Sequence, residues 1–398
     1  MAYFDLYNET IAILLEYTCP KCRSFNRIFT DDIPMKVDFS FSCHNCGNEY
    51  SFIIQLEKSY RRLYVNNFDN PKEISMRQYF DEYIKIKQSI FYRALMVAMD
   101  TYRMPFDRFN KSKKTGKIDI DSPRSSQAIA LSVWGCIFLS PLNNKIFNRI
   151  FDENETDWDI RFEYIDDNDY LNEGKKQYRT HIDILLCTKN TARVIESKFM
   201  EENDRCSFYD KENEEQACSG TNPIKYGYDD IKCKCHQKGR KYWEYIPELY
   251  DFSSRNPNNL YCPFRDQYRY QMMRNLCFGH MLEEYYSINN VKNYLAYVEL
   301  PRLYKERPEY NTVYKRMKKG VPDIDKEFDD VPFEEYLKKY LKKKDRLSII
   351  SYSEIISIAK SVIAEKDAGE IKVFNELENW MENKVDVGTN YIMEREYR

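Results

Sequence analysis

Three charged side chains, Asp183, Glu196 and Lys198, stand at the ends of two short apolar runs. Asp183 comes directly before Ile-Leu-Leu, and Glu196 and Lys198 close a run that contains Val194-Ile195. If both runs are neighbouring strands, the two carboxylates converge at one place. Successive side chains of a strand alternate between its faces, so Glu196 and Lys198 point the same way. Converging carboxylates repel each other unless a cation lies between them.

This arrangement predicts hydrolysis of phosphodiester bonds. Mg²⁺, or Mn²⁺ in its place, accepts one or two carboxylates together with waters and phosphate oxygens, and we expect Asp183 and Glu196 to be these ligands. The metal would activate a water, which Lys198 would orient while stabilising the developing charge. Glu163 adds a third acid as an auxiliary ligand, and Glu201 is placed to hold a water or a second metal. A plainer interpretation stays open, in which these are solvent-facing residues at strand edges.

Four cysteines near the N-terminus have the spacing of a zinc ribbon. Two Cys-x-x-Cys pairs, Cys19 with Cys22 and Cys43 with Cys46, are separated by 20 residues. Four thiolates complete the coordination of Zn²⁺, so we predict a structural zinc ion. The alternating residues between the pairs predict a hairpin that joins them. Ribbons bind nucleic acid or a partner, or only stabilise a fold, and the spacing does not separate these roles.

A second set of cysteines follows the acidic motif, in a polar, loop-rich stretch over residues 201–262: Cys206, Cys218, Cys233, Cys235 and Cys262. The stretch has few apolar residues to hold it in place, which favours a metal as a staple, either Zn²⁺ or an iron–sulfur cluster. Cys233, Cys235 and His236 are too close in sequence to share one ion comfortably, so only some of them would bind. Free thiols are the alternative.

The pieces, taken in order, resemble the PD-(D/E)XK nuclease superfamily, and more closely a group of bacterial restriction endonucleases with features similar to RecB-type nucleases. The resemblance covers about residues 120–285. One departure is the proline that usually leads the motif, since His181-Ile182 precedes Asp183 here. The matching segments are Ser125-Ser126-Gln127-Ala128, Glu196-x-Lys198-x-x-Glu201, Cys206, Cys262-Pro263-Phe264 and Tyr270-Gln271-x-x-Arg274-Asn275.

The resemblance implies an α/β restriction-endonuclease-like core, in which helices flank a mixed central sheet, beside the small N-terminal zinc ribbon. It also implies cleavage of DNA, with RNA as an open alternative, in bacterial restriction or anti-phage defence. Gln271 would then face the metal site or the DNA backbone, and Arg274 would contact a phosphate. Simple packing of Tyr270 and Met273 in the core is an equally open interpretation of that helix. A homodimer or other defence-system subunits are the expected protein partners.

The charge and hydrophobicity of the chain limit its possible partners and its location. The chain has 398 residues and a formal net charge of −3, so a nucleic-acid partner requires a local basic face. Lys111, Lys113 and Lys114 form a basic loop that either contacts phosphates or is simply solvated. No apolar run is long enough to span a membrane and no signal peptide is evident, so we expect a cytoplasmic protein.

The predicted domains are a zinc ribbon over residues 1–60, a helical segment over 61–150, the nuclease core over 151–300 with its cysteine-rich insertion, and an α/β extension over 301–398. A rival function stays open, in which the chain is a catalytically silent zinc-ribbon subunit that binds nucleic acid or recognises a partner.

Overall fold

The computed structural model divides the chain into two compact units. The first comprises residues 1–89, 99–101 and 110–121, and the second comprises residues 90–98, 102–109 and 122–398. The residues that the structure describes are 13–18, 25–30, 36–42, 49–55, 62–65, 72–75, 85–98, 100, 102–105, 108–112, 115–201, 206, 218, 220, 233–258, 261–265, 269–323, 329–364 and 368–395.

The described part of the first unit includes three antiparallel strand pairs. The strands are β1 Ile13–Thr18, β2 Phe25–Thr30, β3 Lys36–Ser42, β4 Glu49–Gln55, β5 Arg62–Val65 and β6 Lys72–Ser75. β1 pairs with β2, β3 with β4, and β5 with β6. The predicted hairpin between the cysteine pairs is wrong in its pairing, because β2 and β3 do not pair with each other in the described residues. In the sequence, the first cysteine pair lies between β1 and β2, which pair together, and the second lies between β3 and β4, which also pair together. Cys19, Cys22, Cys43 and Cys46 lie outside the described residues, so the zinc site stays a prediction.

The basic loop is closed by an isolated antiparallel bridge between Lys111 and Ile118. Lys111 is exposed, and the Ile118 carbonyl accepts a hydrogen bond from Lys85 Nζ at 3.2 Å. Lys113 and Lys114 lie outside the described residues. The predicted contact of this loop with phosphates therefore stays a prediction.

A five-stranded mixed sheet forms the centre of the second unit. Its strands are β7 Asp159–Ile165, β8 His181–Cys187, β9 Thr191–Lys198, β10 Asn290–Tyr297 and β13 Leu347–Ser351, in the order β13-β10-β9-β8-β7. β8 runs antiparallel to both β7 and β9, whereas β10 runs parallel to both β9 and β13. Two short strands, β11 Val321–Pro322 and β12 Asp330–Val331, pair separately. The strands predicted around Glu163, Asp183 and Glu196 are confirmed.

Helices flank this sheet. They are α1 Leu95–Ala98, α2 Ser126–Phe138, α3 Asn143–Phe151, α4 Lys234–Gln237, α5 Tyr242–Leu249, α6 Arg269–Tyr286, α7 Pro301–Glu306, α8 Val313–Lys319, α9 Phe333–Lys338, α10 Tyr352–Ala364 and α11 Ala368–Arg395. Among the described helices, none is both long and apolar enough to cross a membrane.

The α2 helix begins at a capping serine and is buried over almost its whole length. Ser125 Oγ accepts a hydrogen bond from the backbone N–H of Ala128 at 3.1 Å, which satisfies one N–H that the first turn leaves unpaired. The helix is apolar around its circumference, as expected for a helix in the interior. Before it, the helical segment predicted over residues 75–104 is interrupted at Phe91, whose extended backbone N–H bonds to Ser132 Oγ at 2.9 Å.

The two faces of β9 bury different elements. Ala192 and Val194 belong to the hydrophobic cluster built around α6. On the alternate face, Arg193 lies over the rings of Phe151 and Trp158, and Ser197 Oγ hydrogen bonds to the Tyr352 hydroxyl of α10 at 2.7 Å. Glu196 and Lys198 continue the series of Ala192 and Val194, so they belong to the face that α6 covers.

Gly135 gives a test of the packing of α2. A Cβ added at Gly135 would lie 3.1 Å from Ala94 Cβ, closer than ordinary contact. We expect Gly135→Leu to lower the free energy of unfolding by about 1–3 kcal/mol, because added atoms in a filled core displace their neighbours. Urea unfolding measures this, with Ala364→Leu at an exposed end of α10 as the control. Equal stability of the two variants would contradict the close approach.

Candidate active site

Three carboxylates form a row across three neighbouring strands. The β7–β8 register pairs Phe162 with Ile184 and Tyr164 with Ile182, which puts Glu163 opposite Asp183. The β8–β9 register pairs Ile184 with Ile195, and one further step puts Asp183 opposite Glu196. Side chains directly opposite on adjacent strands are near neighbours on one face. The predicted convergence of Asp183, Glu196 and Glu163 is therefore present in the fold.

Glu163 has an unusual backbone. Its φ is 49°, in the left-handed region that side chains other than glycine rarely adopt. Such a conformation costs on the order of 1–3 kcal/mol and persists only where the surroundings enforce it. It occurs within β7 at the position opposite Asp183, so the strained residue is itself a member of the acidic row.

Glu196 is buried and has hydrogen-bond donors on both carboxylate oxygens. Its Oε1 lies 2.7 Å from Lys198 Nζ, which confirms that these side chains share a face. Its Oε2 accepts hydrogen bonds from Gln271 Nε2 at 3.2 Å and from Asn275 Nδ2 at 2.9 Å. Gln271 and Asn275 are one turn apart on α6, so a single helix face supplies both amides.

Asp183 and Glu163 also accept hydrogen bonds. Asp183 Oδ2 accepts the backbone N–H of Ser197 at 2.7 Å, and Glu163 Oε1 accepts Gln127 Nε2 of α2 at 2.7 Å. Desolvation by burial is the largest cause that raises the pKa of both acids, and the charge of Glu196 raises each further. The pKa of Glu163 rises to about 7, and that of Asp183 rises well above its ordinary value. The charge of Lys198 only partly offsets this repulsion.

Glu201 lies near the same end of the sheet. Its carboxylate accepts hydrogen bonds from the backbone N–H of Phe199 and from the side chain of Ser126, in the first turn of α2. The positive end of a helix dipole favours an anion at this position. Burial raises the pKa of Glu201, and the nearby Lys198 charge lowers it. These contacts tie the end of β9 to α2; a role in holding water or a second metal stays a prediction.

Two residues of this site were quoted in the sequence motifs without a role of their own. Gln127, in the Ser-Ser-Gln segment, bonds to Glu163, and Asn275, in the Tyr-Gln-x-x-Arg-Asn segment, bonds to Glu196. Both side chains are almost fully buried. A buried amide on an otherwise apolar helix face is costly without a partner, and this is the signal that could have identified them.

Arg274 lies in a second buried network, with Glu173. Arg274 Nη2 is 2.9 Å from Glu173 Oε1, and Arg274 Nε donates to the Tyr242 hydroxyl at 3.1 Å. Glu173 also accepts the backbone N–H of Thr180 at 2.6 Å and the Tyr242 hydroxyl. The guanidinium is thus paired with a carboxylate inside the protein, and its predicted contact with a phosphate stays a prediction.

The arrangement of ligand-type side chains also bears on metal binding. In the part of the chain that the structure describes, no group of three or more His, Cys, Asp or Glu side chains is arranged so as to hold a metal ion on its own. Magnesium needs fewer protein ligands than this, since it usually keeps several waters and takes one or two carboxylates.

Comparison with known proteins identifies one family. A protein-family model described as Restriction Endonuclease associating with ARP matches residues 87–370, which is more than half of the chain. No curated protein and no solved structure matches the chain. The central mixed sheet flanked by helices is consistent with a restriction-endonuclease-like fold, and the predicted α/β class is confirmed.

The raised pKa of Glu163 predicts a pH-dependent stability. Because the folded chain binds this proton more tightly than the unfolded chain, stability falls as the pH rises from about 4.5 through about 7. Glu163→Gln lacks this loss. We therefore expect its free energy of unfolding, relative to that of the parent chain and measured in EDTA, to rise by on the order of 2 kcal/mol between pH 5 and pH 8. Urea unfolding at both pH values measures this difference. A difference that does not change with pH would show that Glu163 is ionised throughout.

The buried Arg274–Glu173 pair predicts a stability defect. We expect Arg274→Ala to lower the free energy of unfolding by about 3–5 kcal/mol, because it leaves the Glu173 charge buried without its partner. Arg302→Ala, at the exposed pair with Glu306, should cost less than about 1 kcal/mol. Thermal unfolding and DNA affinity measured on the same samples decide the role. Weaker DNA binding with unchanged stability would instead identify Arg274 as a phosphate contact.

Proposed function

We propose that this chain, which belongs to the family described as Restriction Endonuclease associating with ARP, is a metal-dependent DNA endonuclease. The observation that carries the proposal is the row of Glu163, Asp183 and Glu196 across neighbouring strands, with Lys198 in contact with Glu196. The family is one of restriction endonucleases, which makes DNA the expected substrate. Hydrolysis of a phosphodiester bond is the reaction that this set of side chains supports best.

The acidic row has the chemistry of a magnesium site. Carboxylate oxygens are the ligands that Mg²⁺ and Mn²⁺ prefer, and Asp183 and Glu196 supply the two that such an ion takes from a protein. Burial raises the pKa of Asp183 and Glu163, and the charges of the neighbouring acids raise it further although Lys198, and for Glu163 also Arg108, act in the opposite direction. A divalent cation would therefore bind where negative charge is in excess. When bound, it would polarise the phosphate and lower the pKa of a water.

The side chains of this chain have separable tasks in the proposed reaction. Lys198 places a positive charge where negative charge builds on the phosphate oxygens, and it orients the attacking water. Gln271 and Asn275 fix the Glu196 carboxylate, and the Ser197 backbone N–H fixes Asp183.

Glu163 is the auxiliary ligand, and Gln127 orients its carboxylate with a hydrogen bond. With a pKa of about 7, Glu163 can also take up or release a proton near neutral pH.

The biological setting follows from the family. Restriction or anti-phage defence is the role that we propose, with the zinc ribbon as a nucleic-acid or partner contact. Cutting both strands of a duplex requires two active sites or two successive events, which favours a homodimer or further subunits.

The experiment is cleavage of plasmid DNA with Mg²⁺ or Mn²⁺ by the parent chain and by Asp183→Asn and Lys198→Ala. We expect each substitution to lower the cleavage rate by roughly two to four orders of magnitude, since each removes a group that acts at the reacting phosphate. Lys189→Ala is the matched control, because Lys189 is an exposed lysine between β8 and β9. Gel analysis of the plasmid forms gives the rates.

Equal rates for the parent chain and both site variants would place the reaction elsewhere or trace it to a contaminant. If the purified, metal-loaded chain binds nucleic acid but cuts neither DNA nor RNA, the catalytically silent recognition subunit becomes the better description.

A further inference from the structure

Five cysteines of the stretch over residues 201–262 line one pocket in the second unit. They are Cys206, Cys218, Cys233, Cys235 and Cys262. The remaining wall is mostly aromatic and apolar, with Trp243, Phe264 and Met273 among its members. Three other cysteines of the same unit, Cys136, Cys187 and Cys277, do not line it. The convergence is therefore specific to the set that follows the acidic motif.

The sulfurs of this pocket interact with one another. The Cys235 side chain hydrogen bonds to both Cys206 and Cys233. Cys262 is close enough to Cys233 and Cys218 for their charges to affect its pKa. All five side chains thus lie around one pocket, although the outermost members are 56 positions apart in sequence.

Hydrogen-bond donors point at these sulfurs. Cys233 accepts from the Trp243 side chain and from the backbone N–H of His236, and Cys262 accepts from the backbone N–H of Phe264. Arg240 Nη1 lies 4.0 Å from Cys235 Sγ, and the Tyr270 hydroxyl lies 3.6 Å from it. A neutral thiol is a weak acceptor, whereas a thiolate accepts charge-assisted bonds. The donors are thus arranged for thiolates.

Several thiolates cannot share an apolar pocket without a cation. Burial of unpaired charge is costly, and the described arginines near the pocket, Arg240, Arg255 and Arg265, are fewer than its five sulfurs. Soft thiolate ligands select zinc or iron–sulfur centres over hard cations. We propose that four of these five cysteines bind a thiophilic metal centre, either a Zn²⁺ ion or an iron–sulfur cluster, that fastens the cysteine-rich insertion to the core.

The thiols do not yet have the geometry of a metal site, since no group of three or more His, Cys, Asp or Glu side chains among the described residues is arranged to hold a metal ion. Instead, Cys235 hydrogen bonds to Cys206 and Cys233. Metal binding would release the thiol protons and draw the sulfurs together. Disulfides account for the cluster less well, because an odd number of thiols that line one pocket leaves one unpaired.

The test is elemental analysis of the full chain purified without added metal, in the parent and in Cys262→Ser and Cys218→Ser. Since only one of the five cysteines is not a ligand, we expect at least one of the two variants to lose the zinc, or the iron and inorganic sulfide, of one centre. Cys187→Ser should keep it. Zinc and iron contents distinguish the two centres. Metal bound by the N-terminal cysteines is the same in every sample and cancels in the comparison.

A second measurement covers variants that fail to fold. In the parent chain, the pocket thiols should resist a thiol reagent until a chelator removes the metal, or until oxidation breaks down an iron–sulfur cluster. The proposal is overturned if Cys262→Ser and Cys218→Ser retain the parent metal content, or if the pocket thiols of the parent react without metal removal. Because metal content is measured without DNA, this result is independent of whether the chain proves to be a nuclease.

Discussion

Repulsion among Glu163, Asp183 and Glu196 is the constraint on which the rest of the second unit depends. The sheet register sets these carboxylates opposite one another on adjacent strands, and Lys198 is the cation in direct contact with one of them. Such an arrangement persists only if the surroundings hold each acid in place. N–H donors from strand and helix positions hydrogen bond to all three acids.

Two helices supply these donors. Gln127 comes from the first turn of α2, and Gln271 and Asn275 come from α6. Each of these amide residues is held twice. Its helix packs in the core, and its side chain hydrogen bonds to a carboxylate. Displacing either helix would therefore disturb a carboxylate. The positions of the proposed catalytic side chains therefore depend on the packing of the hydrophobic core.

Much of this arrangement could be predicted from the sequence, because alternation along short apolar runs reveals strands and places Glu196 beside Lys198. The long-range partners could not be predicted in this way. Arg274 and Glu173 are separated by 101 positions, and no periodicity connects them, so a motif arginine expected at a phosphate is found in an ion pair. The left-handed backbone of Glu163 also carries no sequence signal, since the residue is not a glycine. The cysteines were visible in the sequence, whereas their convergence depends on loop paths that composition does not encode.

The contacts of Glu196 have a consequence for the entropy of binding. A carboxylate on a flexible side chain loses rotational freedom when it captures an ion, and this loss weakens the affinity. Lys198 on one oxygen and the two α6 amides on the other have already restricted the rotation of Glu196. The folding of the protein, rather than the arrival of a ligand, thus carries this ordering cost, and the carboxylate is preorganised.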